Sequence, residues 1–190
     1  MKILILNACH NQNIENLNVL LPNKSNIIHI RLQEQNILHC TGCMSCVWNM
    51  ESMNPGYCIL KDDMNFIYPT FIHSDLVILM TDIVFGGFSH QMKKIIDRLI
   101  SALFTAPLKK RGLDVGHIMR YKKRPSIYAI GFQNKYNNET ADTFTKYIEN
   151  ICTLWDVPYG NSLIYALDQD AESNNQLIQN TITEWKDTLA

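Results

Sequence analysis

The chain has no apolar run approaching the ~18 residues that a membrane-spanning helix needs, and Met1–Leu6 gives way to polar Asn7 too soon for a secretory leader. A protein that starts at Met1, stays in the cytoplasm and enters no membrane is expected. A dominant charge is lacking too: 17 Lys and Arg stand against 18 Asp and Glu, and the one basic cluster, Lys109-Lys110-Arg111 followed by Arg120 to Arg124, is modest. A nucleic-acid partner is therefore not expected. Low-complexity stretches, internal repeats and interdomain linkers are absent, and 46% hydrophobic with 18% charged residues suits a chain that folds throughout. One domain over residues 1–190 follows from that length.

What the chain does have is cysteine. Six thiols without a secretory leader point to metal, redox or catalytic use rather than to a disulfide framework. Three of them, Cys40, Cys43 and Cys46, share one short segment.

Lys2–Asn7 is an unbroken apolar run that ends in a polar loop, as a strand buried on both faces of a parallel sheet would. Ile14–Leu21 has helical spacing and is stopped by Pro22 after about two turns. Asn26–Leu32 and Asp75–Met80 read as the second and third strands, with the cysteine loop and a helix capped by Asp62 or Asp63 between them. Ser89–Phe104 places Met92, Ile95, Ile96, Leu99, Ile100 and Leu103 on one wide apolar stripe. Ser126–Gly131 is a fourth strand, Glu139–Leu154 a helix, Asn161–Leu167 a fifth strand, and Ala171–Leu189 a final helix. Strands alternating with helices call for right-handed crossovers, and so for an α/β doubly wound, five-stranded parallel sheet of order 2-1-3-4-5 with helices on both faces. The segment 105–125 reads as an irregular insertion, a functional loop or contact surface.

In such a sheet a ligand lies beyond the carboxyl ends of the strands where the order reverses, between strands one and three. Two loops meet there. In the first, Asn7, Cys9, His10, Asn11 and Asn13 are candidate contacts, because a loop entering a helix offers unpaired N–H groups and a positive dipole to a phosphate. It carries neither Gly nor Ser or Thr, so the alternative is that these polar residues only cap and close a turn. The second loop contributes Asp82, Ile83, Val84, Phe85, Gly86, Gly87 and Phe88. Its phenylalanines flank a Gly-Gly pair, which suits a flat heteroaromatic ring lying on exposed backbone; alternatively both rings are core and the glycines only permit the turn. Gly131, closing the fourth strand, completes the set of candidate contacts.

Several of these stretches together resemble the flavodoxin-like NAD(P)H-dependent FMN reductase and quinone reductase family, iron-sulfur flavoproteins included. They are Cys40-Thr41-Gly42-Cys43-Met44-Ser45-Cys46-Val47-Trp48, Asn54-Pro55-Gly56-Tyr57-Cys58 with Asp62-Asp63-Met64, and Gly86-Gly87-Phe88-Ser89-His90-Gln91-Met92-Lys93 with Asp97-Arg98. The match runs over roughly residues 37 to 100. The resemblance implies the flavodoxin-like fold, FMN at the two loops, hydride delivery from NAD(P)H to the flavin, a small-molecule electron acceptor (a quinone, nitro compound or free flavin) and a homodimer. It names no obligatory acid or base, because the flavin carries the chemistry. The family's first loop usually reads Gly-Ser-Pro-Arg where this chain has Asn7-Ala8-Cys9-His10, and Asp82 replaces a usual Pro, adding negative charge beside an anionic cofactor.

Two rival expectations come from the same residues. Cys40, Cys43 and Cys46, spaced by two residues, with Cys58 as a fourth ligand, could hold a 4Fe-4S cluster and make the chain an electron carrier; the alternative is thiols packed at the flavin edge or used in redox exchange. The altered first loop also allows a non-catalytic flavodoxin-like binding protein that has lost FMN. Cys9 and Cys152 read as small buried residues. In the insertion, His117-x2-Arg120-Tyr121 resembles a segment of some relatives; Arg120 meets a nucleotide phosphate or a partner subunit, or belongs to a solvated face.

Overall fold

The computed structural model describes residues 1–10, 26–48, 58–110 and 113–189. The helix expected over Ile14–Leu21 and the candidate contacts Asn11 and Asn13 lie outside the described residues.

Strand β1 (Lys2–Asn7) pairs in parallel with β2 (Asn26–Arg31) on one side and β3 (Leu76–Val84) on the other. β3 pairs with β7 (Ser126–Gln133), and β7 with β8 (Gly160–Ala166), again in parallel. The order β2-β1-β3-β7-β8 is the doubly wound order expected. Alternation of side chains explains the all-apolar strands: Leu4 and Leu6 face one layer, Ile3 and Ile5 the other, and all four are at most 1% exposed.

The first layer holds α2 (Met64–Ile72), α3 (His90–Leu103) and α4 (Asn138–Trp155), whose Met64, Ile67, Phe71, Met92, Ile95, Leu99, Phe144 and Ile148 pack on the sheet. The second holds α5 (Ala171–Leu189) through Ile178 and Ile182. Helix α4 begins where the Asn137 side chain accepts the Thr140 N–H at 2.9 Å and ends at Asp156 in the left-handed region. Among the described residues, no helix is long and apolar enough to cross a membrane.

Two expectations need correction. The segment read as irregular is an antiparallel pair, β5 (Phe104–Lys110) and β6 (Leu113–Met119), with register shifts on both sides of Pro107. A proline and a basic run hide the two-residue period, and both are tolerated because each strand of a two-stranded ribbon is an edge. Strand β3 also runs four residues further than its apolar run, so Asp82, Ile83 and Val84 are strand rather than loop: Asp82 pairs with Phe132 of β7, while Ile83 and Val84 pair with β4 (Gly87–Phe88).

Candidate functional site at the carboxyl ends of β1 and β3

The two-residue turn between β3 and β4 is Phe85-Gly86, with φ of 50° and 74°. Positive φ at both central positions is the turn that matches the twist of a hairpin. Glycine adopts it freely, whereas at Phe85 it costs about 1 kcal/mol. Phe85 is fully exposed at the tip and Val84 is 44% exposed beside it, so the turn presents apolar surface at the carboxyl end of β3. Phe88 points the other way, 7% exposed, with its ring edge-on to Phe144 and Tyr147. The two phenylalanines therefore divide between surface and core.

The glycines divide as well. A side chain at Gly86 would press on Thr143 of α4, its Cβ 2.5 Å from Cγ2, whereas one at Gly87 would meet only ordinary contacts at 3.8 Å and beyond. Gly131 is buried, with Ile83 and Phe144 packed against it so that a Cβ would fall 2.7 Å from Ile83 Cδ1. Ile83 and Gly131 thus serve the core beneath α4.

The first loop is laced to its surroundings. Ala8 N–H donates to Met80 O at 2.8 Å, Cys9 N–H to Asn7 Oδ1 at 2.9 Å, and His10 N–H to Asp82 Oδ2 at 3.2 Å. Gln33 Nε2 donates to Cys9 O at 2.6 Å, and Asn7 Nδ2 lies 3.4 Å from His29 Nε2. Below the hairpin, Ser89 N–H donates to Thr81 Oγ1 at 3.0 Å. The rings of His10 and His90 stack 6.3 Å apart across the two loops. Burial, and after it the Asp82 carboxylate, push the Cys9 thiol far up, so that it stays protonated.

The cysteine segment is held by a different device. The side chains of Asp62 and Arg98 are 0% and 1% exposed and form an ion pair. Asp62 Oδ2 also accepts Leu38 N–H at 2.8 Å, its Oδ1 accepts Met64 N–H at 3.2 Å, and Arg98 Nη1 donates to Leu38 O at 3.2 Å. Asp63 is the N-cap of α2, while Asp62 accepts the first N–H of that helix and ties the segment before Cys40 to α3; the Asp63 side chain serves the same segment by accepting Asn36 N–H at 2.6 Å. Arg120 Nη2 donates to Cys46 O at 3.1 Å, binding the turn α1 (Ser45–Trp48) rather than standing in a solvated face. The pairing of Asp62 with Arg98 escaped sequence reading, although both residues stand in the quoted motifs.

Cys40 and Cys43 are exposed, while Cys46 and Cys58 are half-buried. Hydrogen bonds from Ser45 and Thr41 hold the Cys43 thiol below its usual range. Burial, then the neighbouring Cys58 and Cys40, push Cys46 up. Cys46 senses the other three, yet no group of three His, Cys, Asp or Glu side chains among the described residues converges as a metal-ligand set.

For FMN the fit differs by end. The apolar hairpin tip suits a flat ring. At the loop that would grip phosphate, the N–H groups of Ala8, Cys9 and His10 already have protein acceptors, one of them an anion.

No protein-family model matches the chain. An iron-sulfur flavoprotein of Methanocaldococcus jannaschii is 30% identical over 96 residues, 50% of this chain and 46% of that protein, so the chain spans about half the length of that curated relative. Among solved structures, an FMN-dependent NADH-azoreductase from Bacillus anthracis in complex with FMN superimposes with a TM-score of 0.62 at 15% identity, covering 100% of both chains. A quinone reductase from Klebsiella pneumoniae, described as putative, does so with 0.64 at 14% identity, over 100% of this chain and 85% of the other. The fold is flavodoxin-like, and the curated relative, matched over half of the chain, is of a kind that the motifs resemble.

Proposed function

We propose that the chain is an NAD(P)H-dependent flavin oxidoreductase that uses FMN and passes electrons to a quinone, a nitro compound or free flavin. The observation that carries this reading is the Phe85-Gly86 hairpin: a strained, fully exposed aromatic at the carboxyl end of β3, where the strand order reverses. The likeness to an FMN-bound azoreductase fold and to an iron-sulfur flavoprotein supports it.

Bound FMN would supply hydride acceptance and redelivery. The chain's residues would do the rest. Val84, Phe85 and the backbone of the turn would lie against the ring, and the Thr81–Ser89 bond would fix the hairpin on α3. Ala8 and Cys9, the buried residues of the first loop, would close the floor to water. A homodimer in the cytoplasm is part of the reading, with the exposed tip as the surface that a second copy would cover.

Titrating FMN against the protein's quenching of flavin fluorescence, and following NADH and NADPH oxidation with FMN and a quinone present, tests it. Saturable binding with FMN-dependent oxidation is expected. A chain that neither binds FMN nor supports oxidation would be the non-catalytic relative instead.

A further inference from the structure

Which flavin the site prefers, and how firmly, rests on the flavin reading above and is set by Asp82. A loop ahead of a helix grips phosphate through unpaired N–H groups. Here the first three after β1 are engaged, and the acceptor for His10 N–H is a carboxylate delivered from β3. Asp82 is half-buried as a residue, and its carboxylate adds to burial in keeping the Cys9 thiol protonated. A phosphate drawing on His10 N–H would have to displace one anion and then sit beside it. The hydroxyls of an uncharged ribityl tail are, by contrast, donors that a carboxylate accepts.

We infer that Asp82 is a specificity residue, an anion built into the phosphate end of the cleft, through which the chain discriminates little between FMN and riboflavin and binds FMN as an exchangeable ligand. The hydrogen bond and the sheet register support each other. Asp82 is held in β3 opposite Phe132, so its carboxylate is fixed at the first loop rather than free to swing away. Asp82→Asn keeps an oxygen to accept His10 N–H, removes the charge and turns the other oxygen into an NH2 donor.

The test is equilibrium binding of FMN and of riboflavin, by flavin fluorescence, to the wild type and to Asp82→Asn. The wild-type affinities should lie within about threefold of each other, and the variant should bind FMN at least about tenfold tighter while riboflavin moves less than about threefold. Wild-type protein that binds FMN a hundredfold or more tighter than riboflavin would overturn the inference and leave the flavin reading standing. An unchanged FMN-to-riboflavin ratio in the variant would do the same. Binding of neither flavin by the wild type would overturn both. Should the variant fail to fold, the wild-type ratio alone decides.

Discussion

Asp62 and Asp82 perform similar local tasks, each joining a loop to the neighbouring layer through a backbone N–H, but their surroundings are opposite. The Asp62 side chain is fully buried, with the Arg98 guanidinium and two N–H groups around it. Asp82 is half-buried, and its side-chain bond among the described residues comes from His10 N–H. A carboxylate whose lone pairs are filled by its own protein is scaffold. One still facing solvent beside a cleft is placed to meet a ligand, and perturbing the two sites should separate those roles.

The largest effect is expected at the scaffold. Arg98→Met leaves Asp62 as an uncompensated buried charge and should destabilise the fold by about 3–5 kcal/mol in urea unfolding. Asp82→Asn should stay within about 1 kcal/mol of wild type; equal losses at the two sites would erase the distinction. The pH dependence has a definite sign. Burial acts to raise the Asp62 pKa, but the Arg98 guanidinium and the Leu38 N–H outweigh it and hold the carboxyl below its usual range. A depressed carboxylate stabilises above its unfolded pKa of about 4 and loses that contribution as pH falls through the lower folded value. The gap between wild type and Arg98→Met should therefore be full at neutral pH and close below about pH 4.

Glycines sharpen the same contrast at the hairpin. Gly131→Ala drives a methyl into Ile83 and Phe144 and should cost about 1–3 kcal/mol. Gly86→Ala meets Thr143 at a left-handed position and should cost about 1–2 kcal/mol, whereas Gly87→Ala, with ordinary contacts, should fall within about 0.5 kcal/mol. Thermal unfolding of the three variants ranks them. A Gly87 variant as damaged as the Gly86 variant would mean that the hairpin packs on α4 differently.

Period and burial made the sheet legible: apolar strands interrupted by helical stripes left little choice but the observed order. The carboxyl end of β3 was harder to read, because Thr81-Asp82 breaks the apolar run although the ladder continues to Val84 through β7 and β4. Strand pairing there depends on a partner 50 residues away, which a local window does not see. The β5–β6 ribbon was hidden for a similar reason, its Pro107 and Lys109-Lys110 reading as loop. At the site, location could be read but orientation could not. Phe85 and Phe88 look alike in the sequence, and only the turn geometry sends one to solvent and the other onto Phe144. The cysteine spacing could be read as well, but not that Cys40 and Cys43 stand exposed while Cys46 and Cys58 are half-buried.

Those settings give the smallest effect, a several-fold difference in rate. Cys43 is exposed and held below its usual range by Ser45 and Thr41, so more of it is thiolate near neutral pH; Cys46 is half-buried and pushed up by burial and its cysteine neighbours. Iodoacetamide followed by peptide mass spectrometry should modify Cys43 first, with an onset at lower pH than Cys46. Cys9 should stay unmodified in the folded protein, because its thiol is buried at 7% exposure beside Asp82. Asp82→Asn tests which of the two protects it. Burial is the larger cause, so Cys9 should remain silent in the variant too. A Cys9 that became reactive there would show that Asp82 closes the first loop sterically as well as electrostatically, and would move the carboxylate from the ligand side of the comparison toward the scaffold side.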